Sequence, residues 1–242
     1  MSDASIKLTE VTRHHNARHG VYDITFQLMQ GEVLSICGPS GSGKSTILRL
    51  IAGLDPLDSG HIQLLSKPAS SPGFTLAPHR RRCAMIFQDL ALWPHMTVAK
   101  HLHFVLPHLS LADRKERTTT LLSKVQLEQR VNAYPHQLSG GQQQRLAIAR
   151  ALAADPVHLL MDEPFSSLDF QLKMEMIELL STLKEENRIT VIYVTHDLRE
   201  ILRLSDSMLV LDNGRTSFHG KKQDFIKKYQ TEIAREQQWS HS

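Results

Sequence analysis

Two short stretches hold residues that could handle a phosphate. GPSGSGKST, residues 38–46, follows the apolar run VLSIC and fits the spacing GxxxxGK[ST]. Gly38, Gly41 and Gly43 let backbone N–H groups curl around phosphate oxygens, with Pro39, Ser40 and Ser42 between them, and a helix starting here adds the positive end of its dipole. In such a loop Lys44 reaches the β- and γ-phosphates of a nucleotide, Ser45 ligates Mg²⁺, and Thr46 continues the first turn. The second stretch, VHLLMDEP at residues 157–164, is an apolar strand ending in two acids. Asp162 at the end of such a strand would hold Mg²⁺ through water. Because side chains alternate along a strand, Glu163 would point elsewhere and polarise an attacking water.

These residues need a sheet and helices to hold them. IKLTEV, YDITFQL and VLSIC read as strands, a helix is expected from Lys44 to Ala52 with Gly53 and Pro56 stopping it, and HIQLL and CAMIF are further strands. The Pro/Ser/Gly-rich segment 66–78 is expected to be a surface loop. From residue 97 to 154 helical periodicity replaces strand signals, through VAKHLHFVL, RKERTTTLLSKV and QQQRLAIARALAA. Strand and helix then alternate again through VHLLM, QLKMEMIELLSTLKEE, TVIYVT, LREILRL and SMLVLDNG. The expectation is an α/β fold, a phosphate-loop nucleotidase with a mainly parallel core sheet, an N-terminal antiparallel β region and a helical insertion. It forms one domain over 1–242: a core of 1–96 and 155–220, a helical part of 97–154 and a helical tail of 221–242.

Composition narrows the class. Hydrophobic residues at 41% and charged residues at 22% are those of a folded globular chain, and a net charge of +3 with no long run of like charge gives no footprint for nucleic acid. HRRR at residues 79–82 is the densest basic patch, expected to be a solvated loop or a contact for an acidic partner or lipid headgroups. Cys37 and Cys83 lie in apolar runs without a CxxC partner and read as buried reduced thiols. The N-terminus lacks a signal-peptide pattern and no window nears 18 apolar residues, so neither export nor membrane spanning is expected. The fourteen histidines form no metal-binding spacing.

A third motif specifies the kind of nucleotidase. LSGGQ at residues 138–142, between the phosphate loop and the acidic strand, resembles the signature of the ATP-binding-cassette (ABC) ATPases. Gln88 in IFQD resembles that family's Q-loop, Ser167, Leu168 and Asp169 its D-loop, and His196 in VTHD its switch histidine. The resemblance implies Mg-ATP bound between two cassettes arranged head to tail. Lys44, Ser45 and Thr46 of one would then face Ser139, Gly140, Gly141 and Gln142 of the other. It also implies Gln88 at Mg²⁺ or the attacking water, His196 at the γ-phosphate, and Asp169 communicating across the dimer. Where the family stacks an aromatic ring on adenine, VTRHHNARHGVYD places His15, leaving His15, a loop histidine with Tyr22 in its stead, or neither. SSLD replaces the commoner SALD.

The apolar loop Leu90, Leu92, Trp93 on the way to Val98 would be costly to expose. It is expected either to receive a membrane permease subunit, as in the family, or to pack the helical insertion onto the core. QDLALWPHMTV and APHRR look most like bacterial importer ATPases of the sugar, polyamine, iron and oxyanion group, and too few residues follow Gly220 for the regulatory β-domain many of them carry. That resemblance implies a peripheral protein on the cytoplasmic face of the inner membrane, partnered by a second cassette, permease subunits and indirectly a periplasmic binding protein. An ATPase for export or lipoprotein release is the alternative within transport. A non-transport ABC protein is the alternative outside it.

Overall fold

The computed structural model describes residues 4–16 and 19–228, which fall into two compact units, Met1–Arg81 with Thr190–Ser242, and Arg82–Ile189.

The first unit contains an antiparallel sheet in the order β2-β1-β4-β5-β6, with β1 Ile6–Asn16, β2 His19–Leu28, β4 Ser59–Leu64, β5 Lys67–Ser71 and β6 Phe74–Thr75. Alternation sets its inner face: Ile6 and Leu8 are buried on β1 while Lys7 is exposed. A register shift between Leu8 and Val11, where Glu10 has φ 51°, brings Val11 back inside. Segment 66–78 is therefore more than a loop. Its Pro72-Gly73 pair turns the β5–β6 hairpin, Gly73 has φ 78°, and Ala69 and Ser70 are buried. A polar composition concealed a short, irregular strand beside β4, with Pro68 opposite Gln63.

The same unit holds β3 (Val33–Cys37), which pairs in parallel with β9 (Thr190–Val194) and β10 (Ser207–Asp212). β11 (Arg215–Lys221) adds antiparallel to β10. VLSIC and TVIYV are apolar without alternation because strands covered on both faces have no solvent side. Helix α1, Lys44–Ala52, buries Ile47, Leu48, Leu50 and Ile51 and ends at Gly53, whose φ of 77° returns its N–H to Leu50. Helix α6, Leu198–Leu204, precedes β10.

HRRR is only partly the expected solvated loop. His79, Arg80 and Arg82 are exposed, but Arg81 is 2% exposed and uses all five N–H donors. Nε donates to Leu76 O at 2.7 Å, Nη1 to Leu50 O and Ile51 O at 3.0 and 2.9 Å, and Nη2 to Ala69 O and Ser70 Oγ at 2.9 and 2.7 Å. The terminal carbonyls of α1 are thus satisfied by a cation at the negative end of its dipole.

The second unit pairs β7 (Cys83–Ile86) in parallel with β8 (His158–Asp162), alongside helices α2 (Val98–Phe104), α3 (Leu111–Lys124), α4 (Gly140–Ala153) and α5 (Phe170–Asn187). Thr97, Ser110, Ser139 and Asp169 cap these four helices through their side-chain oxygens. Leu121, Leu122, Leu146 and Ile148 form part of the core between them. The expected helical tail is helical over residues 222–228, and 229–242 lie outside the described residues. No helix among the described residues is long and apolar enough to cross a membrane.

Candidate active site

Each unit presents its own set of chemical groups. In the first, the chain leaves β3 at Cys37 and turns through residues 38–43 into α1. Gly38, Gly41 and Gly43 have φ of 146°, 78° and 99°, a region that favours glycine. Space imposes the same choice. A Cβ on Gly38 would lie 2.2 Å from Leu211 O, and one on Gly43 2.4 Å from Val21 Cγ1. Gly43 caps α1 with no side-chain hydrogen bond, so the first N–H groups of that helix are not taken up by a side-chain cap.

The Lys44 ammonium is buried and donates to Gly38 O at 2.9 Å and Pro39 O at 2.8 Å, folding back over its own loop. Ser42 Oγ is buried without a hydrogen-bond partner. A buried hydroxyl without a partner, beside a cation held by two carbonyls, matches what an incoming anion would satisfy. Pro39, Ser40, Gly41 and Ser45 are exposed, and Thr46 is buried. Burial pushes the half-buried Cys37 thiol up to about 11 against the pull of Lys44, so it stays protonated and inert.

His15 lies on strand β1, and its Nε2 is 3.1 Å from Thr46 Oγ1, joining the hairpin to the first turn of α1. His15, expected at the adenine position or else as a loop histidine, is a strand residue, because β1 runs past its bulge as far as Asn16. His14 bonds Asp58 through its backbone N–H at 2.6 Å and its ring Nδ1 at 2.9 Å. The Tyr22 ring meets the His14 ring edge-on, with centroids 5.4 Å apart, and the Arg215 guanidinium lies 5.4 Å from its centroid. His196 is exposed after β9, between buried Thr195 and the α6 cap Asp197.

In the second unit Asp162 ends β8 and Glu163 follows with φ 45°. Glu163 lies just past the end of the strand, where its backbone has turned left-handed. The turn is tied by Ser166, whose N–H and Oγ–H both donate to Glu163 O, at 3.3 and 3.0 Å. A non-glycine residue in this region is a local cost that surrounding bonds must sustain. Gln88 is exposed, two residues beyond β7.

Ser139 Oγ accepts from Gln142 N at 3.3 Å while Gln142 Oε1 accepts from Ser139 N at 3.1 Å, a reciprocal cap on α4. Gln143 Nε2 donates to Pro135 O and Leu138 O at 3.1 and 3.3 Å. Buried Gln144 donates to Pro164 O, linking the signature helix to the residue after Glu163. At Gly141 a Cβ would lie 2.6 Å from Leu172 Cδ2, so the Leu172 side chain would have to shift. At exposed Gly140 the nearest atom, Leu168 Cδ2, is 3.8 Å from such a Cβ. The start of α4 therefore meets the segment at Leu168, where Asp169 Oδ1 accepts from Leu172 N at 3.0 Å.

The 90–98 loop is anchored. Leu90, Leu92 and Trp93 are half-buried and Val98 fully buried. The Trp93 ring stacks on His101 with centroids 5.5 Å apart, meets Phe104 at 4.7 Å, and lies 5.1 Å from the Arg150 guanidinium carbon, while Arg150 also donates to Leu90 O at 2.8 Å. His101 Nδ1 donates to Thr97 O at 2.8 Å, and Nε2 accepts from Trp93 N at 2.9 Å. Burial lowers the pKa of His101, which keeps that acceptor available. Sequence reading missed His101 and Arg150. An arginine on the apolar face of α4 was the available signal.

A glycine-lined phosphate loop opening a helix, on a strand flanked by parallel neighbours, defines a nucleotide-binding α/β fold. The chain belongs to the ABC transporter family, which matches residues 21–166. It is 41% identical over 216 residues to a sulfate/thiosulfate import ATP-binding protein of Shewanella oneidensis, covering 87% of this chain and 56% of that one. It is 44% identical over 188 residues to a molybdenum import ATP-binding protein of Saccharophagus degradans, covering 78% of this chain and 52% of that one. The chain thus spans little more than half the length of these relatives. Among solved structures it is similar to an ATP-binding cassette described as dimeric, in a post-hydrolysis state and bound to ADP and Pi. That likeness has a TM-score of 0.78 and 33% identity, covering 89% of this chain and 98% of the other.

Proposed function

We propose that the chain hydrolyses ATP as one of two cassettes that drive import of a solute through membrane permease subunits. The observation that carries the reading is the loop at residues 38–44, where Lys44 rests on loop carbonyls and buried Ser42 Oγ lacks a partner. Similarity to a dimeric cassette with ADP and Pi supports nucleotide turnover in a pair. The import names of relatives such as the sulfate/thiosulfate and molybdenum proteins support the direction.

In this reading the loop N–H groups and Lys44 hold the β- and γ-phosphates, and His15 supports the adenine. Glu163 orients a water in line with the γ-phosphate, His196 contacts that phosphate, and Gln88 lies beside the attacking water. Ser139, Gly140, Gly141 and Gln142 of a second copy close over the nucleotide, and Asp169 links the two sites. Helices of 97–154 form the signature part, the remainder the nucleotide core, and the 90–98 loop receives the permease. The protein sits on the cytoplasmic face of the membrane.

No group of three or more His, Cys, Asp or Glu side chains suited to a metal occurs among the described residues. Mg²⁺ usually keeps several waters and is bound through one or two carboxylates together with phosphate oxygens. Ser45, Asp162 and Gln88 would hold it, and it would neutralise phosphate charge.

The test is purification of the tagged chain from its native membranes, with and without Glu163→Gln. An integral-membrane subunit should accompany it with Mg-ATP hydrolysis, and Glu163→Gln should lower turnover about 100-fold or more while nucleotide still binds. Recovery with nucleic acid or ribosomes overturns the transport reading. Full turnover by Glu163→Gln overturns the role of Glu163.

A further inference from the structure

The turn that presents His196 is tied by a buried polar relay which the scheme above leaves unused. Glu200, in α6, is 2% exposed and Tyr193, in β9, is fully buried. An acid in such a place is costly unless its oxygens are bonded. Here Glu200 Oε2 accepts from the Tyr193 hydroxyl and, at 2.6 Å, from Thr195 Oγ1. Thr195 Oγ1 in turn accepts from Asp197 N at 3.1 Å. The Thr195 hydroxyl therefore has a fixed direction, donating inward and accepting from the residue beyond His196.

The other ends of the turn are fixed as well. Thr195 N donates to Ile36 O at 3.2 Å, on the strand that runs into the phosphate loop. Asp197 Oδ1 caps α6 through Arg199 N at 2.9 Å, and the Arg199 guanidinium bonds the same carboxylate at 3.2 Å. Exposed His196 thus stands between two residues whose backbones are tied down. Burial, reinforced by the charge of Glu200, raises the Tyr193 hydroxyl well above its ordinary pKa, so it remains a donor.

We propose that Glu200 is a positioning residue: acting through Thr195, it sets the turn that aims His196 at the γ-phosphate. The proposal rests on the assignment of His196 to that phosphate. Its relay extends from β9 through α6 back to the residue preceding His196, and every link is a hydrogen bond. Positioning of this kind acts on the rate of the chemical step, since a small displacement of a reacting group costs far more in rate than in binding.

The experiment is steady-state Mg-ATP hydrolysis by the full chain, with thermal unfolding recorded on each variant. Thr195→Val preserves shape and deletes the hydroxyl. It should lower kcat about tenfold and leave KM within about twofold, and Thr195→Ser should restore most of the rate. The double variant Thr195→Val/His196→Ala should be no slower than His196→Ala, because both changes disable one contact. If Thr195→Val keeps the full rate while His196→Ala loses it, the relay does not position His196. If the two effects multiply in the double variant, Thr195 acts elsewhere and the inference fails. Wild-type hydrolysis by His196→Ala overturns the assignment of His196 itself, a separate outcome. Should Thr195→Val not fold, Tyr193→Phe removes one hydroxyl from an otherwise intact side chain. A kcat about threefold lower is then expected, and an unchanged kcat overturns the inference.

Discussion

Residues 38–46 and 138–142 are two glycine-bearing helix starts written in similar letters and built in opposite ways. The glycines of the first have positive φ, and its helix begins without a side-chain cap. Those of the second have helical backbone, and their helix is closed by the Ser139–Gln142 cap. In the phosphate loop glycine supplies backbone shape, leaving donors for an anion. In the signature glycine supplies closeness, letting α4 approach Leu172 on α5. The first start leaves helix donors without a side-chain cap, whereas the second has its reciprocal cap in place.

Substitutions can break this contrast, beginning with the largest effect. Lys44→Ala should lower ATP hydrolysis about 100-fold or more and weaken nucleotide binding, measured by turnover and titration calorimetry. Unchanged affinity and rate would remove the phosphate loop from the site altogether. Gly43→Ala should destabilise the chain by about 2 kcal/mol or more, because φ of 99° and the Val21 methyl both oppose a Cβ. Gly140→Ala should instead be neutral or stabilising by up to about 1 kcal/mol in denaturant unfolding, since its backbone is helical and its surroundings open. Equal losses of stability at the two positions would erase the distinction. Ser139→Ala should cost about 1 kcal/mol, a Tm shift of about 2–4 °C, by deleting the cap.

The smallest effect concerns pH. The hydrogen bond from Arg49 holds the Asp55 carboxyl below its usual range, at the far end of α1 from the loop. A depressed folded-state pKa adds stability that is present above the unfolded value of about 4 and lost as pH falls through the folded one. Arg49 is half exposed, so the contribution is at most about 1 kcal/mol. Asp55→Asn should therefore be slightly less stable than the parent near pH 7, and the two should converge in acid unfolding curves once the pH has fallen through the lowered folded-state value of Asp55.

What the sequence disclosed and what it withheld divide along physical lines. Strand β3, the loop and α1 were legible because the apolar run, the glycines and Gly53 are each local signals. The same is true of α4 with its cap. The β5–β6 hairpin was hidden because Ser, Pro and Gly serve a short irregular strand as readily as a loop. The far end of β1 was hidden because a bulge breaks the alternation by which strands are recognised. Arg81, Gln144 and Glu200 were illegible for a common reason. Each is polar by composition and buried by partners remote in sequence or carried on another element, which no local pattern encodes. The left-handed backbone of Glu163 belongs with them, since Ser166 sustains it through a carbonyl rather than a motif.

Helix ends ordinarily fray because their last carbonyls lack partners. At α1 the Arg81 guanidinium holds Leu50 O and Ile51 O. The helix beneath the phosphate loop is therefore clamped like a rod at its rear. Lysine, lacking the planar fork, could not take Arg81's place, although the exposed Arg80 and Arg82 could be lysines.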